Sequence, residues 1–327
     1  MTQATPFAAL TPDAVLDAAA AAGIDVDGRL FALNSYENRV YRVGTHVGPS
    51  LILKFYRPAR WSDAQILEEH AFARELVARD LDIAAPHEID GSTLRHVHGQ
   101  RLAVFDTLAG RAPELDTAES LTVLGRALGR MHATGATRTF RVRPRLSVER
   151  LGHQARKAVL TSGFVPPALE ARYASVSAEL IAGVEREFAL TAGVHAIRLH
   201  GDCHLGNLLW GESGPVFVDL DDCMMGPRIQ DLWMLLAGSS DDQRRTWDAL
   251  SEGYRQFADF DYLELRLVEP LRALRMLHHA AWLAQRWHDP AFPRAFPWFG
   301  EARFWERHVL ELLEQRAAID EPPILSA

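Results

Sequence analysis

Between residues 200 and 222 the chain reads HGDCHLGNLLWGESGPVFVDLDD, a set of residue types suited to phosphoryl transfer on a metal. Asp202 stands five residues before Asn207, and Asp219 follows Asn207 by twelve, delivered by the apolar run Val216-Phe217-Val218. Such chemistry needs one carboxylate to orient a hydroxyl, and an amide plus a second carboxylate to hold magnesium through oxygen. On this reading Asp202 accepts the hydrogen bond of the acceptor hydroxyl and aims it in line at the γ-phosphorus, while Asn207 and Asp219 bind the metal. Each residue alone is commonplace as a cap or turn; the joint spacing is what is specific. Asp221 and Asp222 read equally well as second-metal ligands and as solvated or capping acids.

Phosphoryl transfer from a nucleotide also needs a cation for the phosphates. Lys54 lies in the apolar run 51–56, where Leu51, Leu53 and Phe55 alternate with Ile52, Lys54 and Tyr56. A lone lysine there is either an edge-strand charge or the strand lysine that meets the α- and β-phosphates. The following helix offers Glu68 and Glu69 as its partner. Glu69 shares a helical face with Ile66, Ala73 and Leu76, whereas Glu68 shares one with Gln65, Phe72 and Glu75 that looks mostly solvated. Glu69 is therefore the expected partner. The polar segment 34–38 precedes Lys54 with no glycine. Its Ser35 and Asn38 can offer a hydroxyl, an amide and backbone N–H groups to phosphate, although the segment alone is only a hairpin turn. Asp231, after Gly226-Pro227, reads as a structural acid able to hold the backbone amides of the 200–207 loop.

Two other metal readings compete. His200 and His204 are spaced i, i+4 with Cys203 and Cys223 close by, but Gly201 occupies the place of a zinc protease's glutamate, and two glycines argue for a loop rather than a ligand-bearing helix. A two-metal phosphoesterase would use the acids but leaves Lys54 and Glu69 without a task.

These residues need elements to position them. Residues 11–22 form a short helix with Thr11 as cap, and 30–33, 40–43 and 51–56 form three strands. Ser62-Asp63-Ala64-Gln65 is a capping box opening a helix to about residue 79. Two more strands lie near 93–96 and 101–105. Helical patterning then takes over at 121–133, 168–188, 229–236 and 267–285. The expected fold is α+β and bilobal: residues 1–108 form a nucleotide-binding lobe with a five-stranded antiparallel sheet and one helix after the third strand. Residues 109–327 form a larger, mainly helical lobe with the catalytic loop, metal site and substrate-binding helices.

The 327 residues suffice for two such cores, and 48% hydrophobic with 24% charged residues is ordinary for a globular protein. A net charge of -8 without a long basic run excludes nucleic acid as a partner. No apolar run is long enough to span a membrane, and no signal or transit pattern opens the sequence. Two cysteines make no disulfide framework, so the expected location is the cytoplasm.

The HGD…N…D skeleton resembles the aminoglycoside phosphotransferase/choline kinase branch of the protein-kinase-like fold. Segments in both lobes (LNSYENRVYRV at 33–43, LKFYRPARW at 53–61, QILEEH at 65–70, GPRIQDLWMLL at 226–236, EPLRALRM at 269–276 and DPAFPRAFPWF at 289–299) are more closely similar to a bacterial family of stress-response serine/threonine protein kinases. The resemblance implies ATP as co-substrate, Mg²⁺ as cofactor and a protein serine or threonine as acceptor, with autophosphorylation. It implies a role in envelope and oxidative stress and in restraining stress-induced cell death; the expected state is a monomer. It makes Asp202 the proton acceptor, Asn207 and Asp219 the metal ligands, Asp219 also an active-site residue, and Ser35 a phosphate contact. Lys54 and Glu69 match the strand lysine and helix glutamate. Several features depart from ordinary protein kinases. Gly201 stands where arginine is usual, Leu220-Asp221 where Phe-Gly would follow, and His204 where lysine is frequent. Nine residues between Asp221 and Asp231 leave no room for a long activation loop. The same catalytic core would serve a kinase of aminoglycosides, choline or amino alcohols, or a silent pseudokinase that binds a partner. Aromatic and proline residues at 290–299 form either a packed loop or a partner surface.

Overall fold

The computed structural model describes residues 6–323. The first lobe runs α1 (Pro12–Ala21), β1 (Val26–Ala32), β2 (Arg39–Thr45), β3 (Leu51–Phe55), α2 (Asp63–Val77), β4 (Arg95–Val97) and β5 (Gln100–Asp106). Thr11 caps α1, accepting from the Ala14 N–H at 3.2 Å. The strands form one antiparallel sheet in the order β1-β2-β3-β5-β4. Lys54 pairs with Val40 on one side and Ala103 on the other, so β3 is central and Lys54 is no edge-strand charge.

The alternation along β3 sorts its side chains between two layers. Leu53 and Phe55 are fully buried with Val15, Ala19, Val43, Leu102 and Val104 beneath α1. Tyr56, two positions on from Lys54, packs with Ile66, Leu94, Ala103 and Phe105 on the α2 side. Full burial of each large apolar side chain stabilises by about 1.5–3 kcal/mol. The helix on each face therefore fixes which way Lys54 points.

The capping box of α2 forms: Ser62 Oγ accepts from the Gln65 N–H at 3.3 Å, and Gln65 Oε1 accepts from the Ser62 N–H at 2.9 Å. One face of α2 is pinned to the sheet by His70, which is hydrogen-bonded to Tyr56 Oη at 2.7 Å and Thr93 Oγ1 at 2.8 Å. Burial, with Lys54 nearby, pushes the His70 pKa down to about 3.

The second lobe continues through α3 (Ala118–Gly135), α4 (Gln154–Leu160), α5 (Pro167–Leu190), the short strands β6 (Ile197–Leu199), β7 (Leu208–Trp210), β8 (Pro215–Phe217) and β9 (Met224–Gly226), and then α6 (Ser240–Tyr254), α7 (Val268–Arg286), α8 (Ala291–Ala295) and α9 (Ala302–Asp320). β6 pairs with β9, and β7 with β8, both antiparallel. Helices α3 and α6 cross at backbone contact. A Cβ on Gly125 would lie 2.1 Å from the Leu250 carbonyl oxygen, and one on Gly129 2.5 Å from that of Tyr254. The helix expected over 229–236 is instead two 3-10 turns, Arg228–Asp231 and Trp233–Leu235. Its backbone bonds close over three residues, Leu232 N–H to the Ile229 carbonyl and Leu235 N–H to the Leu232 carbonyl, while Glu264 accepts the Ile229 N–H at 2.8 Å and the Gln230 side chain donates to the Gly201 carbonyl at 2.8 Å. Residues 290–299 are packed, with Phe292 and Phe299 fully buried. No helix among the described residues is long and apolar enough to cross a membrane.

Two outcomes follow from this packing. Gly129→Val forces α3 from α6 and is expected to lower the unfolding free energy by about 3 kcal/mol in urea. His70 is neutral when folded and protonates near pH 6.5 when unfolded, so its contribution is complete above that pH and declines as the solution is acidified towards its folded pKa. The stability gap between the native chain and His70→Asn should narrow by about 2 kcal/mol between pH 7 and pH 5; an unchanged gap contradicts a neutral buried His70.

Candidate active site

The loop 200–207 leaves β6 through Gly201 at φ +87°, where a Cβ would lie 2.2 Å from the Asp222 carbonyl oxygen. Arginine has no room there. Asp231 secures the loop by accepting the N–H groups of His200 and Gly201, each at 2.8 Å. Asp231 is itself held by His132 Nε2 at 3.1 Å, whose Nδ1 meets Tyr254 Oη at 2.9 Å. The glycine crossing of α3 and α6 is what lets these three buried groups meet.

The spacing between Asn207 and Asp219 has a simple origin. β7 and β8 form a hairpin in which Leu208 faces Phe217, and the Val218 N–H donates to the Asn207 carbonyl at 3.0 Å. Asn207 and Asp219 flank this hairpin and return to the same end. Asp219 has φ +61°, a left-handed conformation that costs a non-glycine residue about 1–3 kcal/mol.

Lys54 Nζ joins the two lobes. It lies 2.9 Å from Asp219 Oδ1, 3.3 Å from Asp221 Oδ1 and 3.6 Å from Glu69 Oε1. Burial alone would favour loss of its proton; Asp219, Asp221 and Glu69 reverse that and hold the pKa well above its ordinary value. Burial pushes Glu69 up to about 7, partly offset by Lys54. Burial also disfavours the charge of Asp221, but Arg60, Lys54 and Arg143 hold its carboxyl far below the usual range. Asp221 pairs with Arg60, which also donates to Asp222 at 2.7 Å, while Arg143 donates to the Asp221 backbone oxygen. Asp221 is thus buried among cations rather than solvated.

Asp202 lies beside this cluster. Arg275 of α7 donates to its Oδ1 at 2.5 Å, while His204 Nε2 lies 3.4 Å from Oδ2. Burial opposes its charge, yet His204 and Arg275 keep its pKa well below the ordinary value. Asn207 Nδ2 donates to the Asp202 backbone oxygen at 3.0 Å, so its amide oxygen is directed away from that bond. The Asp219 side chain is 53% exposed. An amide oxygen and an accessible carboxylate are hard donors that suit magnesium, which completes its shell with water and phosphate. His200 has both ring nitrogens engaged, by the Val218 carbonyl at 3.0 Å and the Asp202 N–H at 3.4 Å, so it has none to give zinc. Burial raises the thiol pKa of both Cys203 and Cys223.

One expectation needs correction. Glu68 is not idle on a solvated face: it accepts the N–H groups of Arg141, Val142 and Arg143 at 2.5–2.9 Å, tying α2 to the second lobe. Asn38 is buried, and its side-chain oxygen takes the Arg57 N–H at 3.0 Å, so that acceptor is committed. Ser35 stands within the same loop, its hydroxyl donating to the Asn38 carbonyl at 3.0 Å. Glu37 and Arg57 went unread in the sequence. Glu37 takes Trp282 Nε1 at 2.6 Å and Arg286 at 2.9 Å, and Arg57 meets Asp289 at 2.7 Å. The 34–38 loop is thereby fastened to α7 and the segment after it. Arg60, Arg57 and Asp289 do fall in the segments 53–61 and 289–299 that had stood out as motifs.

Residues 30–268 match the Phosphotransferase enzyme family, and the chain belongs to it. Its curated relatives are more particular. It is 44% identical to stress response kinase A of Escherichia coli O157:H7, over 97% of this chain and 96% of that protein. It is 41% identical, with the same coverages, to serine/threonine protein kinase RdoA of Salmonella typhimurium. The fold is shared with amicoumacin kinase hAmiN, solved with AMP-PNP, Ca²⁺ and amicoumacin (TM-score 0.71, 21% identity, 95% of this chain and 94% of that one). It is also shared with a microcompartment-associated aminopropanol kinase (TM-score 0.66, 19% identity, 94% and 96%).

The anchor at Asp231 makes a direct prediction. Asp231→Ala leaves two buried N–H groups and His132 without their acceptor and should cost about 3–5 kcal/mol. Asp231→Asn retains one acceptor oxygen and should cost less. Equal unfolding midpoints for all three chains would refute the anchor.

Proposed function

We propose that this chain is a cytoplasmic, monomeric serine/threonine protein kinase of the bacterial stress response, dependent on ATP and Mg²⁺. One observation supports the reading: the strand lysine Lys54 pairs across the lobes with the exposed Asp219, which the β7–β8 hairpin returns beside Asn207, itself bonded to the loop acid Asp202.

In this reading Lys54, flanked by Glu69, meets the α- and β-phosphates, and Ser35 contributes a hydroxyl from the 34–38 loop. Asn207 and Asp219 would hold Mg²⁺, which when bound offsets the negative charge of the phosphates. Asp202 accepts a hydrogen bond from the acceptor hydroxyl and points its oxygen at the γ-phosphorus. Because Asp202 is held ionised it is a ready acceptor at neutral pH but a weak base. It therefore orients the hydroxyl early and receives the proton late, as a loose transition state allows. The acceptor O–P bond forms as the bond to the β-phosphate oxygen breaks, and the proton passes through Asp202 to solvent. Gly201 and the short path from Asp221 to Asp231 give no place for control by activation-loop phosphorylation.

The protein acceptor and the stress role rest on the relatives named stress response kinase A and serine/threonine protein kinase RdoA. A small-molecule acceptor is the second reading, favoured by the fold neighbours named for amicoumacin and aminopropanol. Labelled ATP offered to bacterial proteins and to hydroxyl metabolites separates the two: selective, rapid turnover of a metabolite overturns the protein-kinase reading. Asp202→Ala and Asp219→Ala are each expected to lower transfer from [γ-³²P]ATP by about 10³-fold or more. Undiminished transfer by Asp202→Ala would remove that residue from its assigned place.

A further inference from the structure

Position 204 leaves a task unfilled. A loop cation near the orienting carboxylate steadies the phosphoryl group as it moves, and His204 does not meet that need. Its Nδ1 accepts the Gly206 N–H at 2.9 Å and its Nε2 is turned to Asp202 at 3.4 Å, so both ring nitrogens are already engaged within the loop. Lysine cannot substitute. The whole chain has two lysines, Lys54 and Lys157. Lys54 is committed to three carboxylates on the nucleotide side, and Lys157 lies in α4.

Arginine remains. Arg60 is spent on Asp221, Asp222 and Glu37, and Arg143 on the backbone oxygens of Asp221 and Cys223. Arg275 differs. It reaches Asp202 from α7 through Nη1 alone, and its side chain is 45% exposed. Its Nε and Nη2 bond to no described residue. A guanidinium holds its donors in a rigid fork, so one edge can stay on a carboxylate while another meets a phosphoryl oxygen.

We propose that Arg275 is a catalytic residue that bridges Asp202 and the phosphoryl group in transfer, doing from α7 what a loop lysine would do. The proposal rests on the assignment of Asp202 as the hydroxyl-orienting acid. Any atom bonded to Asp202 stands close to the hydroxyl that Asp202 orients, and the γ-phosphorus must arrive at that hydroxyl. Arg275 stays protonated throughout and donates hydrogen bonds to oxygens whose charge is redistributed in the transition state. The acceptor proton still leaves through Asp202.

The test measures total consumption of [γ-³²P]ATP, to water and to protein hydroxyls together, for the native chain, Arg275→Ala, Arg275→Lys and Asp202→Asn, with Mg²⁺ present. Affinity for Mg·ADP is measured in parallel. Arg275→Ala should lose about 10²–10³-fold in kcat, with KM for ATP and Mg·ADP affinity within a factor of about 3 of native. Arg275→Lys should recover at least a tenth of the native kcat. A merely structural ion pair predicts otherwise: either kcat within threefold of native for Arg275→Ala, or loss of nucleotide affinity together with rate. Either result overturns the proposal. A silent Asp202→Asn beside an active Arg275→Ala rejects the arginine alone. An active Asp202→Asn rejects the reading on which it rests.

Discussion

The architecture is organised by the need to bury one positive charge. Lys54 sits in the central strand of the sheet, where a lone ammonium would be strongly disfavoured. It stays charged because Asp219 and Asp221 come from the other lobe and Glu69 from α2. The carboxylates are not balanced by Lys54 alone: Arg60 and Arg143 add charge around Asp221. The network forms only with the lobes together, since Lys54 comes from one lobe and Asp219 and Asp221 from the other. Removing one member strands the others, which is why these ion pairs serve geometry more than stability.

A second layer of support turns this network into a site. Small residues let α3 and α6 touch, which lets Tyr254, His132 and Asp231 line up behind the 200–207 loop. Asp231 then sets the loop backbone, the β7–β8 hairpin folds Asp219 back to Asn207, and α7 lays Arg275 against Asp202. The functional groups are few, while the groups that aim them extend across most of the second lobe.

Much of this was readable in the sequence where the information is local. Alternation sorted the β3 side chains into the right layers, the capping box marked the start of α2, and helical spacing put Glu69 rather than Glu68 beside Lys54. Asp231 was legible as a structural acid from its place after Gly226-Pro227, and the structure sets it on the His200 and Gly201 N–H groups. What escaped depends on partners distant along the chain. The surroundings of Asp221 were not legible because its cations lie more than 75 residues away. Glu68 looked idle because the backbone it holds belongs to residues 141–143. The segment 229–236 has helical periodicity, but its backbone bonds close over three residues and it forms only short turns.

The central claim is that Lys54 is the cation for the nucleotide phosphates rather than a structural counter-ion for the acids around it. The direct measurement is ATP consumption by Lys54→Met with Mg²⁺ saturating, alongside its unfolding midpoint. The account predicts a rate lowered by about 10²-fold or more in a chain that still folds. A folded Lys54→Met chain that consumes ATP within threefold of the native rate would contradict it.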